Sequence, residues 1–160
     1  MDETGLSGKQ KITLLSAWSL IKQDLDLHCR NILLLFFKEH PHFLPYFDFS
    51  TDSSTANLSE NQALFAHSMN VINGLGSLIE YGLGCPKMFL CLLTKMAKNH
   101  KARSVTGEDI KLFGKVIMNY FMDVLERQAA SSLPEAFEVF FEKIAEAFDD
   151  PLDPAIDTTD

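Results

Sequence analysis

The 160-residue sequence is poor in basic residues and in long apolar runs, and each shortage excludes a class of protein. Its 14 Lys and Arg stand against 22 Asp and Glu, a formal net charge of -8. This balance argues against binding to nucleic acid or to an anionic membrane surface, because both need basic patches. The longest aliphatic and aromatic run, residues 32–37, is far short of the ~20 residues of a membrane span. We therefore expect no transmembrane segment.

Cysteine is also scarce. Cys29, Cys85 and Cys91 are an odd number without the spacing of a disulfide framework, which indicates a reducing compartment. Cys29 is expected to be a small packing residue rather than a reactive thiolate. No charged-then-apolar leader opens the sequence, so we expect a cytoplasmic protein.

The composition predicts one folded domain between two tails. Apolar residues make up 46% of the sequence, enough for a substantial core. Residues 149–160 carry five Asp and two Pro, which predicts an acidic disordered tail. Residues 1–6 are expected to form a flexible N-terminal tail. The folded domain is therefore predicted at residues 7–148.

The apolar pattern predicts an all-α fold. Strand signals are nearly absent, whereas apolar residues recur with the 3.6-residue period of helices. The first expected helix runs from Ser7 as a cap to Leu25, and the second ends near His40. Further helices are expected over 58–81, over the stretch 89–105 and over 107–128. The last helix is predicted to begin with a capping box at 132–135. A short helix at Pro41 and a polar loop at 48–57 separate the second and third of these.

Two glycines interrupt the third predicted helix. Gly74 and Gly76 would each cost about 1 kcal/mol relative to alanine in a helix interior. We expect that another helix crosses close to this position and leaves no room for a larger side chain.

Two histidines stand on apolar helical stripes. His67 shares its stripe with Leu64 and Val71, and His100 ends a stripe that begins at Phe89. A single such histidine is usually hydrogen-bonded inside the protein or partly exposed, since a buried imidazole needs a partner. Two of them on separate helices are also suited to face each other across a flat apolar guest. An iron porphyrin is such a guest, because its iron takes an axial imidazole.

Four motifs together resemble the globin family. They are "AWSLI", "FFKEHPHFLPYFDF", "FAHSMNVINGLGSLI" and "MAKNHKARSV", and the resemblance covers about residues 7–148. The spacing of Pro41 and Phe47, the two histidines and the single Trp18 all follow the globin order. Within the family, "AHSMNV" and "KMAKNHKARSV" look similar to intracellular invertebrate globins such as those of bivalves, and a neuroglobin-like branch is the other candidate. The resemblance implies a globin fold of about seven to eight helices that encloses a haem pocket.

The resemblance also implies roles for individual residues. His100 matches the proximal iron ligand and His67 the distal histidine, while Phe47 matches the aromatic that wedges against the porphyrin. The remaining positions implied are Leu33 and Val71, which line the distal pocket with Phe37 as its aromatic backing, and Met96, Val105, Ile110 and Phe113 on the proximal side. No C-x-x-C-H motif occurs, so the expected cofactor is haem b held non-covalently.

The sequence departs from many globins beside one haem propionate. Asn70 stands where a basic residue is common, so another group has to neutralise that carboxylate. Arg103 and Lys101 are candidates, and Asn99 is a candidate hydrogen-bond donor. A solvated basic cluster at a helix C-terminus is the alternative interpretation.

The implied function is reversible binding of dioxygen or another diatomic gas, CO or NO. An N–H of His67 would stabilise bound dioxygen by roughly 1.5–3 kcal/mol, or the imidazole would bind the iron itself in a six-coordinate resting state. Haem redox chemistry, such as nitric oxide dioxygenation or nitrite reduction, is the alternative. A haem-free all-α interaction module is a third hypothesis. A reductase partner and a homo-oligomer are left open.

Overall fold

The computed structural model describes residues 1–47 and 55–150, and these residues form helices connected by short turns. The α-helices are α1 (Gly8–Lys22), α2 (Leu25–Glu39), α3 (Gln62–Ser77), α4 (Pro86–Lys101), α5 (Gly107–Leu125) and α6 (Leu133–Asp149). Shorter 3-10 helices span Pro41–Tyr46, Thr55–Glu60 and Glu126–Gln128, and a π-helical turn spans Leu78–Gly82. The prediction of an all-α fold is confirmed. Counting the two six-residue 3-10 helices with the six α-helices gives eight in the described ranges.

The predicted start of the first helix and end of the second are confirmed. The Ser7 side chain accepts a hydrogen bond from the Gln10 N–H, and the Gln10 side chain accepts one from the Ser7 N–H, which is a complete capping box. Helix α2 ends at Glu39, directly before His40 and the proline that starts the 3-10 helix. Leu25, predicted in the first helix, instead begins α2, because the chain turns at residues 23 and 24.

The predicted helix over residues 58–81 is divided into three segments. Its start belongs to the 3-10 helix Thr55–Glu60, and α3 begins where the Asn61 side chain accepts a hydrogen bond from the Leu64 N–H at 3.1 Å. After Ser77 the chain continues as the π-helical turn. The polar loop predicted at 48–57 falls mainly on residues 48–54, outside the described residues, as do residues 151–160 of the predicted tail.

The predicted capping box at the start of α6 is wrong. Ser132 has helical backbone angles, and its side chain makes no cap hydrogen bond. Its hydroxyl lies 3.2 Å from the Thr13 hydroxyl, which itself donates to the Lys9 carbonyl at 3.0 Å. The Ser132 hydroxyl is therefore used to join α6 to α1.

Residues 1–6 differ from the flexible tail that we expected. Thr4 and Leu6 are buried, with 0% and 2% exposure. The Thr4 hydroxyl accepts a hydrogen bond from the Leu6 N–H, and Asp2 forms an ion pair with Lys11 of α1. This segment is folded against the domain rather than separate from it.

The core lies where α5 and α6 pack on each other and on α1, with further contacts from α2 and α4. Its centre is aromatic: Phe121 packs edge-on against Phe137, with ring centroids 5.0 Å apart. Gly114 of α5 brings the two helices close, since a Cβ there would lie 2.4 Å from the Phe141 ring. Among the described helices, none is long and apolar enough to cross a membrane.

The two glycines of α3 have different surroundings. A Cβ on Gly76 would lie 2.2 Å from the indole of Trp18, so the expected close crossing is confirmed there. A Cβ on Gly74 would lie 3.6 Å from the Met96 methyl, an ordinary contact distance, so the explanation does not hold for Gly74.

We predict that Gly76→Ala lowers the free energy of unfolding by about 1–3 kcal/mol, because the added methyl overpacks the crossing at Trp18. Gly74→Ala is the matched control and should leave stability unchanged or raise it by up to about 1 kcal/mol through helix propensity. Urea unfolding of the haem-free protein, followed by circular dichroism, measures both. Equal losses in the two variants would contradict the close crossing.

We also predict that the three thiols separate into two classes. Cys29 has 0% exposure, and burial, helped by the charge of Asp26, raises the pKa of its thiol from 9.0 to about 11. Cys85 and Cys91 are exposed. A thiol reagent at mildly alkaline pH should label two cysteines quickly and the third only after unfolding, because the thiolate is the reactive form. Fast labelling in a Cys85→Ser, Cys91→Ser variant would refute this.

Candidate haem pocket

A single cavity of about 630 Å³ gathers the predicted pocket residues. That volume lies in the usual range for cofactor and ligand sites. The predicted residues that line it are Leu33, Phe47, His67, Asn70, Val71, Met96, Asn99, His100, Arg103, Val105, Ile110 and Phe113. They come from α2, α3, α4 and α5 and from the turns between them, so residues far apart in the sequence form one cavity.

Phe37 is the exception among the predicted pocket residues. It is buried, with 1% exposure, but it does not line the cavity. Its ring packs edge-on against Phe47, with centroids 5.2 Å apart. Phe37 therefore supports Phe47 from behind, because α2 turns this side chain away from the cavity.

His100 lies at the end of α4 with one ring nitrogen already engaged. Its Nδ1 is 2.8 Å from the Met96 carbonyl oxygen, one turn earlier in the same helix. Because a carbonyl oxygen only accepts, Nδ1 carries the proton, and Nε2 is the nitrogen with a lone pair for a metal. The Phe148 ring packs on the imidazole at a centroid distance of 5.2 Å. This arrangement matches that of a metal-binding histidine held by a backbone carbonyl.

His67 faces the same cavity from α3. Its ring packs edge-on against Phe47, with centroids 4.7 Å apart. Burial lowers the pKa of His67 below its ordinary value of 6.5, and electrostatic interaction with the Arg103 charge and with His100 lowers it further. The lowered pKa favours the neutral form of His67 at neutral pH, in which one ring nitrogen carries a proton and the other a lone pair.

Comparison with known proteins decides the family. The family model described as Globin matches residues 30–148, about three quarters of the chain. The chain belongs to the globin family. It is 30% identical over 135 residues to a protein named Globin from Busycotypus canaliculatus, covering 82% of this chain and 91% of that one. It is 26% identical over 138 residues to Hemoglobin-2 of Phacoides pectinatus, with 86% and 89% covered. The expected similarity to mollusc globins is thus confirmed.

The cavity of this globin has chemistry that fits haem. Its walls are mainly Leu, Val, Ile, Met and Phe side chains, which suit the faces of a porphyrin. The imidazoles of His67 and His100 also line it. His100 offers a lone pair on Nε2, since Nδ1 is committed to Met96. Globins bind diatomic gases through such a haem, and the fold and the two histidines of this chain agree with that family property.

Polar side chains also line the cavity. Asn70, Asn99 and Arg103 are among them, and all three are exposed. Lys101, the other candidate cation, does not line the cavity, whereas Lys95 does. Lys95 lies four residues before Asn99 on α4, so the two share a helix face. That spacing was visible in the sequence and would have found Lys95.

Sequence reasoning also missed much of the apolar wall. Residues that line the cavity without having been predicted are Phe36, Phe43, Tyr46, Gly74, Leu75, Ser77, Leu92, Lys95, Asp109, Phe141, Ile144 and Phe148. Phe141, Ile144 and Phe148 lie on α6 at helical spacing. Their periodicity is the same whether they pack on other side chains or on a cofactor, so the pattern carried no separate signal.

We predict that Arg103→Gln raises the pKa of His67, though not to 6.5, because burial is the largest cause of the lowered value. Lys101→Gln is the matched control, since this lysine does not line the cavity. An NMR titration of the His67 ring in the haem-free protein measures the change. An equal shift in both variants would mean that only the overall charge matters.

The lowered pKa of His67 makes the stability of the folded protein depend on pH. The unfolded state binds a proton at His67 more readily than the folded state, so the stability from neutral His67 is present above its unfolded pKa and lost on acidification. His67→Leu should therefore flatten the acid limb of the stability profile of the haem-free protein.

Proposed function

We propose that this globin binds haem b non-covalently through His100 and reversibly binds dioxygen or another diatomic gas on the His67 side. The observation that carries the proposal is the hydrogen bond of His100 Nδ1 to the Met96 carbonyl, at the edge of the cavity that His67 also lines. A histidine fixed in this tautomer presents Nε2 to the cavity's ligand, and an apolar cavity with a second imidazole suits a porphyrin.

His100 and Met96 act as a unit on the proximal side. The Met96 carbonyl accepts the Nδ1 proton, which fixes the ring and makes Nε2 a more basic donor to a metal. When bound, the haem supplies an iron with a coordination position for a diatomic gas. The apolar side chains that line the cavity would exclude water from the bound gas.

His67 discriminates between gases by hydrogen bonding. A neutral imidazole has one N–H to donate, and dioxygen takes up more negative charge from iron than carbon monoxide does. A hydrogen bond to a charged acceptor is worth about 1.5–3 kcal/mol, or about tenfold to a hundredfold in affinity. The same side chain also has a lone pair for the iron, which would give the six-coordinate resting state.

The polar part of the lining would hold the haem carboxylates. Arg103 and Lys95 bring two positive charges, and Asn99 brings amide donors, in place of the basic residue absent at Asn70. Because these side chains are exposed, each ion pair would contribute at most about 1 kcal/mol. They would orient the porphyrin more than they would retain it.

The test is spectroscopic. The purified protein should take up haem, and its ferrous visible spectrum should change reversibly with dioxygen and with carbon monoxide. His67→Leu should speed dioxygen dissociation by about tenfold to a hundredfold and carbon monoxide dissociation much less, because only dioxygen carries enough charge to gain from the hydrogen bond. Stopped-flow replacement kinetics measure both rates.

The deoxygenated ferrous spectrum determines the coordination number. Sharp, split visible bands that merge into one broad band in His67→Leu mean that His67 binds the iron. One broad band in both proteins means an open position. Failure of the protein to take up haem, or unchanged haem binding in His100→Ala, would overturn the proposed function.

A further inference from the structure

The last turn of α6 is tied to the first turn of α5 beside the cavity. The Asp149 carboxylate accepts a hydrogen bond from the Gly107 N–H, with Oδ1 2.7 Å from the nitrogen. Gly107 is the first residue of α5, where N–H groups have no partner within the helix. The capping box of Thr106 and Asp109 satisfies two other N–H groups, those of Asp109 and Thr106 itself. Asp149 therefore supplies the partner that α5 lacks at this position.

The contact is close enough to require glycine. A Cβ on Gly107 would lie 2.2 Å from Asp149 Oδ2 and 2.8 Å from the Ala145 carbonyl oxygen. The Asp149 charge also lies at the positive end of the α5 dipole, which strengthens the bond. The two helix ends are thus joined by shape as well as by charge.

The hydrogen bond between Asp149 and Gly107 affects His100 through Phe148, the residue before Asp149. Phe148 lines the cavity, and its ring packs on the His100 imidazole at 5.2 Å between centroids and 42° between planes. The Met96 carbonyl holds that imidazole at Nδ1. The tilted Phe148 ring packed on the imidazole limits how far it can turn about its Cβ–Cγ bond.

Phe148 can limit the movement of the His100 ring only if the end of α6 stays in place. Helix ends open more readily than helix centres, and Phe148 and Asp149 belong to the last turn of α6. Within that turn, the Asp149 carboxylate reaches across to the backbone of another helix. The position of the Phe148 ring therefore depends on an exposed carboxylate that does not line the cavity.

We propose that Asp149 is a positioning residue for the proximal histidine: by tying the end of α6 to Gly107, it holds Phe148 against His100 and sets the orientation of the imidazole. This inference rests on the proposed function, because its consequence for gas binding requires His100 to be the haem ligand. Losing the tie would leave the imidazole less uniformly oriented toward the iron and so weaken their bond.

The experiment compares Asp149→Ala, Asp149→Asn and Phe148→Leu in the full chain, with Glu142→Ala as the control. Glu142 is another exposed carboxylate of α6 outside the cavity lining. Asparagine keeps an oxygen that accepts the Gly107 N–H, so it should rescue most of the effect. Two signals are followed: hydrogen exchange of the Gly107 amide in the haem-free protein, and the iron–histidine stretching band in resonance Raman spectra after photolysis of the carbon monoxide complex.

We expect Asp149→Ala to speed exchange at Gly107 by roughly tenfold to a hundredfold, as for loss of a hydrogen bond to a charged group. The same variant should broaden the iron–histidine band and shift it to lower frequency. Phe148→Leu should change the band but not the exchange, Asp149→Asn should stay near the original protein, and Glu142→Ala should change neither.

The outcomes separate this inference from the proposed function. Faster exchange with an unchanged band would mean that the tie is only structural, and unchanged exchange would mean that the tie does not hold the helix; either overturns the inference. If the original protein does not take up haem through His100, the proposed function fails. The NMR signals of the His100 ring in the haem-free variants then still decide whether Asp149 orients that ring.

Discussion

The structure depends on keeping a large cavity inside a small, otherwise close-packed domain. Wherever no apolar group fills the observed 630 Å³ cavity, the apolar side chains that line it leave dispersion contacts unmade. Its apolar walls therefore favour an apolar occupant over water. Folding and cofactor binding are consequently linked, because an occupant that binds only the folded state stabilises it.

The packing around the cavity uses small residues to place large ones. Gly76 lets α1 cross α3 in contact with Trp18, and Gly114 lets α5 and α6 approach across Phe141. At these two crossings the helix backbones lie close together, whereas large aromatic side chains line the cavity. Polar groups also join the helices. Ser132 links α6 to α1, and the Asp149 carboxylate accepts a hydrogen bond from the first residue of α5.

The sequence predicted the parts of this structure that have a period or a unique chemistry. Buried helical stripes and two histidines on them were visible, and the family resemblance supplied their roles. The π-helical turn was not visible, because over five residues its period departs from that of an α-helix by less than one residue. Ser132 was misjudged because its use is decided by Thr13, 119 residues away in sequence. The α6 side of the cavity was not predicted, because core and cofactor contacts share one pattern.

The single tryptophan lies where it reports on the whole assembly. Trp18 is 4% exposed at the crossing of α1 and α3, and its indole N–H donates to Glu80 at 2.7 Å. Glu80 lies in the π-helical turn that follows α3, and its carboxylate also accepts a hydrogen bond from the Lys22 ammonium at 2.6 Å. Because the chain has no other indole, its fluorescence arises from this one place. Energy transfer to a bound porphyrin would quench that emission. The fluorescence intensity of Trp18 would therefore report the fraction of protein that holds the cofactor and whether the crossing of α1 and α3 is intact.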